Sequence, residues 1–210
     1  MGRPAGQPRD SKQLICEQAL ALFAQKGYAA TTVKDIAAAS GMRDASLYNH
    51  FPGKQALFDA VVARQLDRLS AMLRDRSALV HPDDDAHAYL EATGQSLLAV
   101  VLASYEPFFN DGQIGCLRQV LEAERHADER IEALYRTIFI ERPLEVQRSI
   151  FSQLIEAGTF APCDAELAAR QFHGPVYLAL AEGTVWPDAR AFIARHLASF
   201  QDQHRAKEQP

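Results

Sequence analysis

Cysteine is scarce and scattered: Cys16, Cys116 and Cys163 stand far apart in a chain of 210 residues. With no CxxC pair and no histidine partner nearby, they offer neither a zinc site nor a disulfide framework. They are expected as buried or half-buried thiols. Long apolar runs are missing too, and none approaches the roughly 20 residues that a membrane-spanning helix needs. Residues 1–11 are polar and basic, with no apolar stretch behind them in the manner of a signal peptide. A cytoplasmic protein without membrane partners is expected. Catalytic signatures are likewise missing: no GxSxG, no phosphate-cradling glycine loop, and seven histidines spread without metal-ligand spacing. Neither enzymatic activity, nor a cofactor, nor a metal is expected. The acidic run Asp83-Asp84-Asp85 after His81-Pro82 reads as a break followed by a helix start, where carboxylates favour the first turn.

A general excess of positive charge is lacking as well, since the net charge is −5. The charge is nevertheless uneven. The first 60 residues carry seven Lys/Arg against five Asp/Glu, and the other 150 carry 15 against 22. Such asymmetry suits a nucleic-acid module joined to a module of another kind.

What the chain does have is 48% hydrophobic residues, enough for a sizeable core in one or two domains, and helical period throughout. Strand-like alternation is not found, and the fold class is all-α. Ile15, Ala19, Leu22 and Phe23 recur on one face of a helix over 10–26, which Lys26-Gly27 stops. Thr31 and Thr32 supply cap hydroxyls, and Thr32-Val33-Lys34-Asp35 approximates a capping box with Asp for Glu. A short helix over 33–40, with Val33, Ile36 and Ala37 inward, ends at Gly41. Another over 43–50, with Leu47 and Phe51 inward, is broken by Pro52-Gly53. Two short helices joined through a glycine-containing turn match the helix-turn-helix pattern, and they need the preceding and following helices to bury a core. Lys54 opens a long helix to about residue 76.

Beyond it the pattern predicts a helix from the acidic run to about residue 104, an irregular or briefly helical stretch over 108–115, and helix resuming over 114–140 with an interruption near Ala127-Asp128. Three further helices follow over 143–158, 164–182 and 188–203. Pro143 suits a first turn, and Gly174-Pro175 should kink the helix that contains it.

The stretch Ala19-Leu20-Ala21-Leu22-Phe23-Ala24-Gln25-Lys26-Gly27-Tyr28, then Thr31-Thr32-Val33-Lys34-Asp35-Ile36-Ala37, Gly41, Ser46-Leu47-Tyr48-Asn49-His50-Phe51, Lys54 and Leu57 resembles the TetR family of transcriptional regulators. The likeness covers about the first quarter of the chain. It implies a three-helix DNA-binding domain over 1–53 and a larger helical ligand-binding and dimerisation domain over 54–210. It also implies a homodimer on a palindromic operator in double-stranded DNA, and repression released by a small-molecule ligand. A nucleoid or division factor without an inducer, and a relative that has lost DNA binding, are the alternatives.

Within that reading, Tyr48 resembles the family's phosphate-binding tyrosine and His50 fits a backbone or groove-edge contact. Lys54 at a helix start reads as a phosphate clamp, with Thr31 or Thr32 acting likewise. Arg43, Asp44, Ser46 and Asn49 are placed to read bases: arginine suits guanine, and aspartate a cytosine amino group. Arg43 and Asp44 depart from the family pattern, and Asp44 is either a base contact or the helix cap. Lys34, Arg9 and Lys12 are phosphate neighbours, and Arg3 could reach a minor groove. By resemblance the ligand pocket takes Tyr105, Phe108, Phe109, Arg118, Glu122, His126, Tyr135 and Phe139. The dimer face takes Ala168, Ala169, Phe172, Val176, Ala179 and Leu180 on the helix over 164–182, paired with the one over 143–158.

Overall fold

The computed structural model describes residues 11–76, 78, 81–84 and 86–206, and Arg3 and Arg9 lie outside them. Eleven α-helices are present among the described residues, with one isolated antiparallel bridge between Phe160 and Arg205 and no sheet. The chain divides into two compact units. One holds residues 1–68 with 116–132, and the other holds 69–115 with 133–210. This differs from the expected boundary after residue 53. Leu57, Phe58 and Val61 of the long helix are almost wholly buried, and Phe58 meets Phe23 and Tyr28 ring to ring at 6.0 and 4.8 Å. The start of that helix is therefore core of the first unit.

The first unit contains α1 (Ser11–Lys26), α2 (Val33–Ala39), α3 (Asp44–Tyr48) and the start of α4 (Lys54–Asp75). It also takes the end of α7 (Gly112–Glu124) and the start of α8 (Glu129–Arg136). Ile15, Ala19 and Phe23 of α1 are buried as their spacing requires, together with Ile36, Ala37 and Leu47. Cys16 is buried and Cys116 partly so, but Cys163 is exposed, against expectation, because it lies in the loop before the α10 cap.

The turn from α1 to α2 is held by side chains from distant parts of the sequence. Gly27 has φ +86, and a Cβ there would sit 3.3 Å from Glu124 Oε1, so the position needs glycine. That Glu124 oxygen accepts the backbone N–H groups of Tyr28 and Ala29, at 3.0 and 3.4 Å. Lys54 Nζ donates to the carbonyls of Tyr28, Ala29 and Thr31 at 2.9, 3.2 and 3.0 Å and lies 4.5 Å from the Tyr28 ring centre. Thr31 is fully buried, its hydroxyl donating to the Gly27 carbonyl at 2.8 Å. Thr32 then caps α2 in a full capping box with Asp35. The Thr32 hydroxyl and N–H both donate to the Asp35 carboxylate and hold it below the ordinary carboxylate range.

The second unit contains α5 (His87–Glu91), α6 (Gln95–Asn110) and the end of α8, which runs through a π-helical turn, Thr137–Glu141, into α9 (Arg142–Glu156). It closes with α10 (Ala165–Ala181) and α11 (Trp186–His204). Four phenylalanines, Phe151, Phe160, Phe172 and Phe200, stack against one another at its centre with centroids 5.0 to 6.1 Å apart. The Asp164 carboxylate caps α10 through the N–H groups of Glu166 and Leu167.

One expectation on the helices is corrected. The helix to residue 104 is two helices, divided at residues 92–94 where Gly94 turns with φ +52. The stretch over 108–115, expected as irregular or briefly helical, is helical on both sides of Asp111, and Pro107 inside α6 forgoes only its own N–H bond to the preceding turn. Pro143 stands in the first turn of α9, as expected, and α10 runs as one helix through Pro175 to Ala181.

Two outcomes follow from the α1–α2 turn. Lys54→Met should lower the unfolding free energy of the DNA-free protein by about 1–3 kcal/mol, because three carbonyls lose a charged donor. Urea denaturation checks this, and an unchanged midpoint would mean that the ammonium serves DNA alone. Asp35 has a depressed folded pKa, so its stabilisation is present above the ordinary carboxylate value and is lost as pH falls through the lower folded one. Amide exchange at Thr32 should therefore stay slow to about pH 4 and quicken only below it.

Candidate functional site

The α2–α3 corner sets the geometry of the exposed surface. Gly41 has φ +69 and donates to Ala38, and Met42 donates to Ala37. The chain leaves α2 in a left-handed turn that few side chains allow. Arg43 is extended at the N-cap of α3, and its carbonyl accepts from Ser46 and Leu47. No side chain caps the helix. Asp44 is its first helical residue and not the cap, so that alternative falls. A carboxylate there favours the positive end of the helix.

Only Leu47 of α3 is buried. Arg43, Asp44, Ser46, Tyr48 and Asn49 are exposed, Tyr48 to 53%, and His50 is half-buried. Lys34 on α2 and Lys12 on α1 are exposed too. One short helix thus presents an arginine, a serine, a tyrosine and an amide around a single buried leucine.

Three residues expected at phosphates are engaged elsewhere. Thr31 is buried and bonded to carbonyls, all three Lys54 donors meet carbonyls, and the Thr32 hydroxyl gives its proton to Asp35 at 2.7 Å. They hold the loop that aims α2 and have no free side-chain donor for an anion.

The residues expected around a ligand divide between the two units. Arg118, Glu122 and His126 belong to the first, where Arg118 and Glu122 pair at 2.8 Å and His126 is exposed. Tyr105, Tyr135 and Phe139 are buried in the second, with Phe139 5.2 Å from Tyr135 and 6.1 Å from Phe108, ring to ring. Phe109 meets Trp186 instead, at 6.0 Å. Three polar residues not anticipated complete the group. Gln147 donates to the Tyr105 hydroxyl, His173 bonds the Phe139 carbonyl at 3.1 Å, and the hydroxyls of Tyr177 and Tyr135 are 2.9 Å apart.

The expected dimer residues are corrected outright. Ala168, Ala169, Phe172, Val176, Ala179 and Leu180 are all at most 9% exposed, and four of them belong to the central core of the second unit. They face the chain's own helices. The outward face of α10 carries Leu167, Gln171, Gly174 and Leu178 instead, and Val185 follows beyond its end. Leu167, Leu178 and Val185 are between 53% and 61% exposed, unusual for large apolar side chains.

Comparison with known proteins bears on this arrangement directly. Residues 15–61 match the family described as bacterial regulatory proteins, tetR family. Over 176 residues the chain is 33% identical to the HTH-type transcriptional repressor KstR2 of Mycobacterium tuberculosis, covering 81% of this chain and 80% of that protein. Among solved structures, a TetR-family regulator from Mesorhizobium loti superposes with a TM-score of 0.71 at 20% identity, over 93% of this chain and 96% of that one. SmeT, a repressor from Stenotrophomonas maltophilia solved in complex with triclosan, superposes with a TM-score of 0.62 at 21% identity, over 95% and 93%. No helix among the described residues is long and apolar enough to cross a membrane. The helix-turn-helix of α2 and α3 and the relationship along four-fifths of the chain place it in the TetR family of bacterial transcriptional regulators.

Proposed function

We propose that the protein is a homodimeric repressor that reads a palindromic operator with α3 and leaves it when a small molecule binds the second unit. The exposed surface of α3 around buried Leu47 carries this reading. Leu47 fixes the helix from behind while Arg43, Asp44, Ser46, Tyr48 and Asn49 stand free of the protein's interior. Specific readers place the N-terminal part of such a helix against base edges, while hydroxyls and cations beside it hold phosphates. Arg43 offers the paired donors that match guanine, and Asp44 an acceptor for a cytosine amino group. Tyr48, His50 and Lys34 take the phosphate role. The names of KstR2 and SmeT as repressors, and the triclosan complex of SmeT, support repression with a ligand.

A helix this short reads only a half-site, so two copies must sit about 34 Å apart, one turn of DNA. The exposed stripe Leu167, Gly174 and Leu178 supports α10 as the face that meets the second copy, with glycine allowing close approach. This replaces the buried residues expected from sequence.

Binding to duplex libraries at two salt concentrations tests the reading, and specific binding must weaken steeply with salt. Arg43→Ala should relax preference at one or two base pairs, by about 1–3 kcal/mol each, and an unaltered preference would remove arginine from base reading. Tyr48→Phe should weaken binding to all sequences alike, by about 1 kcal/mol. Leu178→Arg should weaken self-association by roughly tenfold or more, since a buried unpaired charge opposes it. Sedimentation velocity measures this, and a dimer that persists undiminished would move the interface elsewhere.

A further inference from the structure

Two polar atoms in the core of the second unit have no hydrogen-bond partner among the described residues: His173 Nδ1 and Gln147 Oε1. Both residues are more than nine-tenths buried. Both converge on Tyr105. The Gln147 amide bonds the Tyr105 hydroxyl, and the His173 ring lies nearly parallel to the Tyr105 ring with centroids 6.3 Å apart. Tyr177, one turn along α10 from His173, has its ring 6.1 Å from that imidazole.

We propose that His173, Gln147 and Tyr105 form the polar end of a binding site for a neutral, largely apolar small molecule that carries a hydroxyl group. This rests on the ligand-release reading and specifies the chemistry of its ligand.

The hydrogen-bond inventory dictates the class. A carbonyl oxygen only accepts, so the bond from His173 Nε2 to Phe139 puts the ring hydrogen on Nε2. Burial pushes the His173 pKa below the ordinary histidine range, outweighing that bond, and the ring is neutral. Nδ1 is then a bare acceptor and needs a donor. The Gln147–Tyr105 pair has a different remainder. With the amide nitrogen on the phenol, the Tyr105 proton and Gln147 Oε1 are left over. With the amide turned, an N–H of Gln147 and a lone pair of Tyr105 are left over. Either way one donor and one acceptor remain. A hydroxyl donates its one proton to Nδ1 and accepts from the remaining donor, so it satisfies the imidazole and one member of the Gln147–Tyr105 pair. A carboxylate meets a bare lone pair at Nδ1 and has a single neutral donor to accept from, with no cation among these groups. Phe172 lies 6.4 Å from the Tyr105 ring, centre to centre, within the apolar core of the unit, and this favours an apolar body.

The test uses the full chain and a matched pair of probes, 2-naphthol and its methyl ether 2-methoxynaphthalene, which keep the ring system and differ in the hydroxyl proton. Calorimetry should show 2-naphthol binding about tenfold more tightly than the ether, the worth of one buried donor. That preference should vanish in His173→Phe, which removes the acceptor, and weaken in Gln147→Leu, which disturbs the neighbouring pair, each variant made separately so that one misfolded variant does not decide the matter. Histidine-selective 15N NMR of the unaltered chain provides an independent signature. The His173 Nδ1 resonance should sit at the bare lone-pair position without probe and move when 2-naphthol is added. Equal affinities for the two probes, binding of neither, or a preference unchanged in both variants overturns the site. So does an Nδ1 resonance that is already hydrogen-bonded before addition, the sign of a resident water. Operator affinity is measured alongside. A filled site that leaves operator affinity unchanged refutes ligand release but not the site. A ligand that releases the operator equally from the wild type and both variants refutes the site but not release.

Discussion

The ammonium of Lys54 and the carboxylate of Glu124 together hold a loop with no regular structure of its own. Tyr28, Ala29 and Thr31 give three carbonyls to the lysine, and Tyr28 and Ala29 give two N–H groups to the glutamate. Backbone polar groups outside helices need partners, and here both kinds are supplied by charged side chains from α4 and α7. Thr32, the next residue, is the N-cap of α2. The direction in which α2 departs is thus set by the loop, and α3 inherits it through the left-handed turn at Gly41. The aim of the whole exposed surface follows from two side chains that are not part of it.

The five residues of α3 cannot form a stable helix alone, since nucleation costs more than so few hydrogen bonds return. Leu47 supplies the missing stability by burial, and Phe51 extends the anchor beyond the helix. Asp44 adds a carboxylate at the positive helix end, where no side chain caps. With stability drawn from one apolar contact behind the helix, the other side chains are released from packing duty. That separation explains how a tyrosine can stand more than half exposed beside a leucine that sees no solvent.

Features that depend on neighbours in sequence were legible. The α1 face, the stop at Gly27, the capping box and the start of α4 all arise from residues within a turn or two of each other. Legibility failed where one atom could serve two masters. A threonine hydroxyl and a lysine ammonium bond phosphate or carbonyl with equal ease; the local turn decides for Thr31, which donates to Gly27, and the approach of α4 to that turn decides for Lys54. Apolar and small residues on α10 were read as a meeting face for a second copy, but the same composition suits the chain's own core, which takes all six. The exposed face is more mixed, with Gln171 among Leu167, Gly174 and Leu178, and its composition does not set it apart. Gln147 and His173 were within reach. Each occupies a position that the helix period assigns to the core, with Ile150, Phe151 and Leu154 or Ala169, Phe172 and Val176 as companions. A polar residue in such a place is a signal in itself.

The two units treat buried polarity in opposite ways. In the α1–α2 loop each of the three carbonyls and both N–H groups named above has its partner, which fits a part whose work is to hold one geometry. Among the described residues of the second unit an imidazole nitrogen and an amide oxygen have no partner, and a buried group left so costs about 1–3 kcal/mol. A purely structural core gains nothing from that cost, because leucine or phenylalanine would fill the same space without it. His173 also holds the carbonyl of Phe139, inside the π turn where the helix is least regular. Hydrogen bonds on the two nitrogens of one imidazole polarise each other. A donor arriving at Nδ1 alters the grip of Nε2–H on that turn, so the unsatisfied atom and the irregular helix are two ends of a single ring.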